Sequence, residues 1–268
     1  MIILWKRVST ALVFGIMAFA IFGPLLNLLF WAFAERWYFP YKLPIKYGFK
    51  YWELVFHPRG GAMESLGTSL AIAIATVVAC LLVSLPVGYA LARRSLPVRS
   101  LTMLMFLLPQ AFPSLAVYMN IARIFYEMGL NGTITGVVLV HTVHGLVYSV
   151  WITTAAFSSV DHSLELAARN LGASPLYTFL TVTLPQALPG VIASSIFVFL
   201  ESLDEFTGTF FVGVPDINTL PLLLYSSSMG GNYQVASITA LILLVPSIAF
   251  MLMVDKFFKA DVLSKIGK

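Results

Sequence analysis

Six apolar stretches alternate with short polar segments along the chain, at residues 9–34, 65–92, 101–122, 133–157, 190–212 and 235–257. Each reaches the roughly 20 residues that a helix needs to cross the hydrocarbon core of a bilayer. The pattern predicts an all-α polytopic membrane protein with six transmembrane helices. Pro24, Pro86, Pro109, Pro113 and Pro246 fall inside these stretches, where neighbouring helices can satisfy the carbonyls that a proline frees. Pro109 and Pro113 are four apart, which predicts a kinked or locally unwound third helix. The first stretch follows Lys6 and Arg7, but its apolar run is longer than the roughly 7–15 residues of a signal-peptide core. It is expected to be a retained spanning helix.

Composition strengthens this reading. The chain is 59% hydrophobic and only 10% charged, against about 25% charged in a soluble domain. A polar surface large enough for water cannot be built from so few charges, so the solvent is mostly lipid. The excess of 16 basic over 12 acidic residues reports orientation in such a chain before it reports a nucleic-acid partner, and none is expected. Lys6, Arg7, Arg93, Arg94, Arg99, Arg169, Lys256, Lys259, Lys265 and Lys268 fall on one side, which predicts cytoplasmic N- and C-termini. The single cysteine, Cys80, can form no internal disulfide and no cysteine metal site.

The segment after the first span holds Trp37, Tyr38, Phe39, Tyr41, Tyr47, Phe49, Tyr51 and Trp52. It reads as an interfacial aromatic belt and a packed outer cap. The chain thus divides into a first helix with its aromatic loop (1–64), a core of five helices (65–258) and a basic tail (259–268). No internal repeat is visible.

One polar segment, 160–189, is longer and better punctuated than the rest. Asp161 is a plausible N-cap. Leu164, Ala167, Ala168 and Leu171 fall at i, i+3, i+4 and i+7, one face of a short helix. Glu165 and Arg169 are spaced as an i,i+4 pair. Gly172 stands where a left-handed residue would end that helix. Ser174-Pro175 then reads as the N-cap and first position of a second short helix, which Pro185 and Pro189 are expected to break before the fifth span. Two alanines at the centre of the bracket permit close approach to a partner's groove.

This pattern resembles the loop of the permease subunits of binding-protein-dependent ABC importers. Their signature reads Glu-Ala-Ala, three residues, Gly, nine residues, Ile-x-Leu-Pro. Leu166-Ala167-Ala168, Gly172 and Val182-Thr183-Leu184-Pro185 match it in spacing. One departure is that Leu166 occupies the glutamate position, with Glu165 one place earlier. The resemblance runs from about Ser65 onward and includes Pro86–Arg93, Leu203-Asp204-Glu205-Phe206 and Thr219-Leu220-Pro221. It implies the type I importer permease fold in a bacterial inner membrane. It also implies an ATPase-coupling loop carried by Leu164, Glu165, Leu166, Ala167, Ala168, Gly172, Ala173, Leu184 and Pro185. The implied partners are two copies of an ATP-binding subunit, a second, homologous permease and a periplasmic solute-binding protein. No Gly-x-x-x-x-Gly-Lys-Ser/Thr loop is present to cradle phosphates, so this chain is expected to be a non-catalytic subunit with no cofactor.

Glu201, Asp204 and Glu205 lie at i, i+3 and i+4 within the fifth apolar stretch. Ionisable residues there are costly and point to a pathway or a partner, and a face of carboxylates attracts cations. The polyamine-type branch of the resembled permeases carries a similar Asp-acidic segment, which implies a polyamine or related cationic solute. Pairing within the protein is the competing account of the same residues. His141 and His144 share a face of the fourth span and read as core histidines. Asn120, Arg123 and Glu127 read as an interfacial group. A secondary transporter using the acidic face as a cation relay would leave the bracketed loop unexplained. An intramembrane enzyme would need a nucleophile–base pair or a His-Glu-x-x-His motif, and the sequence has neither.

Overall fold

The computed structural model describes residues 2–38, 40–94 and 99–266, and the surroundings of side chains in 10–38, 40–94 and 99–253. Phe39 and Lys268 lie outside the described residues, as do the side chains of Lys6, Arg7, Lys256, Lys259 and Lys265. The chain forms two compact units, Met1–Ser65 with Leu223–Leu244, and Leu66–Leu222 with Val245–Lys268.

In the first unit the long helix α1 (Ile2–Phe33) leads into a two-stranded antiparallel hairpin, β1 (Ala34–Arg36) and β2 (Lys46–Tyr47). An ion pair between Glu35 and Lys46 crosses it. Helix α2 (Lys50–Phe56) and a 3-10 turn (Pro58–Gly60) follow. Ala32, Val55, Ala62, Val235 and Ile238 form the buried centre. The aromatic loop packs in part: Trp31 stacks on Trp37 at 4.3 Å and Phe33 meets Phe49 edge-on at 5.5 Å, while Tyr38, Tyr41 and Tyr47 stay exposed.

The second unit is built on α3 (Ala62–Arg93), α4 (Arg99–Ala111), α5 (Ser114–Glu127), α6 (Ile134–Ser158), α7 (His162–Asn170), α8 (Pro175–Thr178), a π-helical turn (Phe179–Thr183), α9 (Leu184–Asp204) and α10 (Thr207–Val212). The chain closes through α11 (Leu220–Met229) and α12 (Tyr233–Ile266). Among the described residues, five helical segments are long and apolar enough to cross a membrane, and six if α4 and α5 count as one broken span. Those two helices meet at 96°, with Pro113 as the N-cap of α5 and Pro109 inside α4. The expected break in the third stretch is therefore present and sharp.

The fifth span differs from its expectation at both ends. Helix runs without interruption from Pro175 to Asp204, so Pro185 and Pro189 do not break it. Pro185 directly follows the π turn Phe179–Thr183, and that wider turn accommodates its missing N–H. Pro189 gives up one bond, and Ala187 and Val191 on either side are buried with Phe157 and Val160. At the far end the helix stops at Asp204 rather than continuing to Val212, because Glu205 takes an extended conformation (φ −70°, ψ 112°).

Small residues let α3, α6 and α9 approach closely. A Cβ on Gly145 would lie 2.8 Å from Cys80 Sγ, and one on Gly88 would lie 2.6 Å from Thr153 Oγ1. Hydroxyls then bond across the contact: Ser149 donates to Ser84 at 2.6 Å and Ser194 donates to Ser149 at 3.0 Å. His141 bonds Ser202 at 2.8 Å and Thr209 at 2.9 Å. Both ring nitrogens are used, as expected of a core histidine rather than a ligand.

Candidate functional site: a capped loop on a buried carboxylate

The loop 160–189 folds as its punctuation requires. Asp161 caps α7 by accepting from the Ser163 N–H at 2.9 Å. At the other end Ala173 N–H donates to the Ala168 carbonyl and Gly172 N–H to that of Arg169, the two bonds of a Schellman ending. It requires Gly172 at φ +91°. Ser174 then accepts from Tyr177 N–H, and Pro175 opens α8.

The predicted apolar face of α7 points away from the protein. Leu164 and Leu171 are 43% and 90% exposed, and Leu166, Leu176, Tyr177 and Leu180 are also exposed. Ala167 is exposed, Ala168 and Ala173 are half-buried, and Pro185 is exposed beside a half-buried Leu184. These residues leave apolar side chains exposed on both sides of Gly172 in the chain.

Glu165 does the opposite. It is the one buried residue of α7, at 3% exposure. Its carboxylate meets donors from three other places in the chain. Arg93 Nε and Nη2 approach Oε1 at 2.9 and 2.8 Å, and Thr183 donates to the same oxygen at 2.8 Å. Tyr89 donates to Oε2 at 3.2 Å, with His162 Nδ1 at 3.4 Å. Arg93 Nη2 also donates to the Val160 carbonyl at 2.9 Å. Burial by itself would raise the carboxyl's pKa, but the bonds from Thr183 and Arg93, the Arg93 charge and the Tyr89 hydroxyl outweigh it. They hold the group below the ordinary glutamate value. Tyr89 packs edge to face on Phe157 and Phe179, which are tilted against each other, with ring centroids 5.0–5.7 Å apart.

The expected i,i+4 pair with Arg169 is replaced by the pair with Arg93. A buried carboxylate needs a partner far more than an exposed one does, and Arg93 reaches it from inside. Sequence reasoning missed Tyr89, Arg93 and Thr183 as partners of Glu165. Tyr89 and Arg93 stood out only as members of the family-like segment Pro86–Arg93, and Arg93 as a charge at the end of a span; nothing local signals a pairing over 72 positions.

The end of α9 divides the acidic trio. Glu201 is half-buried in α9 and Asp204 is exposed at its end. Glu205 lies beyond the helix and is engaged on both oxygens. Oε1 accepts from the Gly208 N–H at 2.8 Å, which caps α10, and Oε2 accepts from the Tyr118 hydroxyl at 3.0 Å. Tyr118, fully buried, also meets His144 Nδ1 at 2.8 Å. No group of three or more metal-ligating side chains occurs among the described residues.

Several helical segments apolar enough to span a bilayer, with a capped loop seated on a buried ion pair, define a multi-pass membrane protein. The family model for the inner membrane component of binding-protein-dependent transport systems matches residues 84–262, well over half of the chain, and the chain belongs to that family. Among its relatives is an ABC transporter permease protein of Streptomyces antibioticus, 29% identical over 73% of this chain and 87% of that one. A Salmonella typhi permease named for a 2-aminoethylphosphonate transport system is 25% identical over 89% of this chain and 90% of that one. The putrescine transport system permease of Escherichia coli is 36% identical, over 39% of this chain and 38% of that one. The fold matches a chain of a bacterial ABC transporter that imports alginate, at a TM-score of 0.72 and 17% identity over 94% of this chain and 96% of that one. It also matches a chain of the MetNI methionine ABC transporter, at 0.59 and 18% over 74% and 95%. The protein is an ABC importer permease subunit of the inner membrane.

Proposed function

We propose that this permease forms the translocation path for a small cationic solute received from a periplasmic binding protein, and that two ATPase subunits drive it through the loop 160–189. The observation that carries the reading is the exposed apolar surface of Leu164, Leu166, Ala167, Leu171 and Leu176 around the Gly172 turn. An ATPase groove is the occupant that fits a permease of this family. Leu164, Leu166, Ala167, Ala168, Gly172, Ala173, Leu184 and Pro185 shape or present that surface, and Glu165 supports it from below. A second, homologous permease completes the path. Both termini face the cytoplasm, in keeping with the basic residues on that side. The functional divisions are 1–64, 65–258 and 259–268.

Closure of the ATPases on ATP moves the loop and opens the path outward, and hydrolysis resets it. Glu201 and Asp204 are the carboxylates on this chain that suit a cation in the path, whereas Glu205 is held by Tyr118 and Gly208. Putrescine and 2-aminoethylphosphonate, the solutes in the names of two relatives, both carry a primary ammonium group. That shared chemistry supports an amine-bearing solute, and the phosphonate relative, which spans more of the chain, favours a second reading in which the solute is not a polyamine.

The test is Ala168→Arg together with solute depletion. Cells with the wild-type chain should deplete one amine-bearing solute from a mixed pool. Cells with the correctly inserted variant should not, because the long cation blocks the groove contact. Normal ATP-driven uptake by Ala168→Arg would overturn the coupling assignment.

A further inference from the structure

We infer that Glu165 is a positioning residue, a strut that joins α7 to the Arg93 end of α3 so that a load on the loop is delivered to that spanning helix. The inference rests on the reading of the loop as the ATPase dock. It concerns the far side of the loop from the partner.

Three observations carry it. First, Glu165 is the one residue of α7 that is buried, while the residues beside it, Leu164 and Leu166, are exposed. Force applied to the outer face of α7 has Glu165 as its main route inward. Second, the carboxylate is saturated. A carboxylate has about four acceptor sites, and here Arg93 Nε, Arg93 Nη2 and Thr183 meet Oε1 while Tyr89 donates to Oε2. Little capacity is left for an arginine from a partner, so the residue faces the permease and not the ATPase. Third, the donors tie different elements to one point. Tyr89 and Arg93 come from the last turns of α3, Thr183 from the π turn ahead of α9, and Arg93 also holds the Val160 carbonyl between α6 and α7.

The chemistry suits a strut. The apolar contacts of Tyr89, Phe157 and Phe179 are non-directional and can slide. Charge-assisted hydrogen bonds fix distance and register. A buried carboxylate also cannot let go of its cation cheaply, so the junction stays closed while the loop moves. Displacing Glu165 should therefore carry Arg93 with it, and α3 runs from Arg93 back to Ala62 as one helix.

The test uses the intact complex purified through a tag on this chain, with spin labels at Ser163→Cys and Arg94→Cys, both exposed positions. Cys80 is buried and stays unlabelled. The wild-type distance distribution should be narrow and keep its mean between the nucleotide-free and ATP–vanadate-trapped states, because the two labels move together. In Glu165→Gln the distribution should become roughly twice as wide as a local contact opens, while the ATPase still co-purifies. Thr183→Val, which removes one neutral donor, should broaden it less and leave assembly unchanged. The charge-reversed pair Arg93→Glu with Glu165→Arg should restore a narrow distribution, which a purely space-filling role for Glu165 would not predict. Equal widths in wild type and both single variants would overturn the strut. If the wild-type chain purifies without an ATPase, the dock reading fails whatever the widths are. If it purifies with one and the widths are equal, the strut alone fails.

Discussion

Arg93 and Glu165, 72 positions apart in the chain, meet at 2.8 Å with only 11% and 4% of their side chains exposed. The pair sits at the junction of a spanning helix with the loop that carries the family signature. Removing its cation leaves a buried carboxylate uncompensated. Arg93→Ala is therefore expected to destabilise the protein by about 3 kcal/mol, and Thr183→Val by about 1 kcal/mol. Thermal unfolding in detergent checks the order.

The same carboxylate predicts a pH dependence. Its folded-state pKa lies below the ordinary value of 4.5. The stability it contributes is thus fully present above that value, and it is lost as the pH falls through the lower, folded-state pKa. The gap in melting temperature between wild type and Glu165→Gln should hold steady from neutral pH down to the ordinary glutamate range and close only on further acidification. A gap that closed on the alkaline side would contradict the assignment.

Gly172 tests the turn between the two short helices. At φ +91° an added Cβ meets no atom within 4 Å, so the cost of Gly172→Ala is backbone strain alone, about 1 kcal/mol. Gly172→Asn should cost less, since asparagine tolerates the left-handed region. Insertion should be normal in both, and the yield of assembled complex should rank glycine, asparagine, alanine.

Tyr118 links α5 to the end of α9. Tyr118→Phe deletes the donor to Glu205 and leaves His144 Nδ1 without its partner, for a loss of about 1–3 kcal/mol. The same change frees one carboxylate oxygen of Glu205. Melting temperature measures the first effect, and solute affinity in a transport assay measures the second.

Much of this was legible in the sequence wherever the signal is local. The caps at Asp161 and Ser174, the left-handed ending at Gly172 and the break at Pro113 follow from backbone chemistry within a few residues. The spans follow from apolar length. The relationships over distance were hidden. Glu165 offered a cation four places on at Arg169, and only packing shows that it points inward to Arg93 instead. The end of α9 at Asp204 was obscured because apolar residues continue to Val212, and helix and short helical turn read alike in such a run. Pro185 misled because the π turn that accommodates it has no local signal in the sequence. The Ala34–Arg36 hairpin was masked by aromatic residues that suit an interfacial loop equally well.

Co-purification of an ATP-hydrolysing subunit with the wild-type chain and with Leu171→Asp tests the central claim most directly. Leu171 is 90% exposed and stands directly before the Gly172 turn, so the substitution disturbs no packing within the chain. The expected result is ATPase activity in the wild-type preparation and its loss from a variant that inserts and melts normally. Equal ATPase activity in both preparations, or none in the wild type, would contradict the assignment of this loop as the dock.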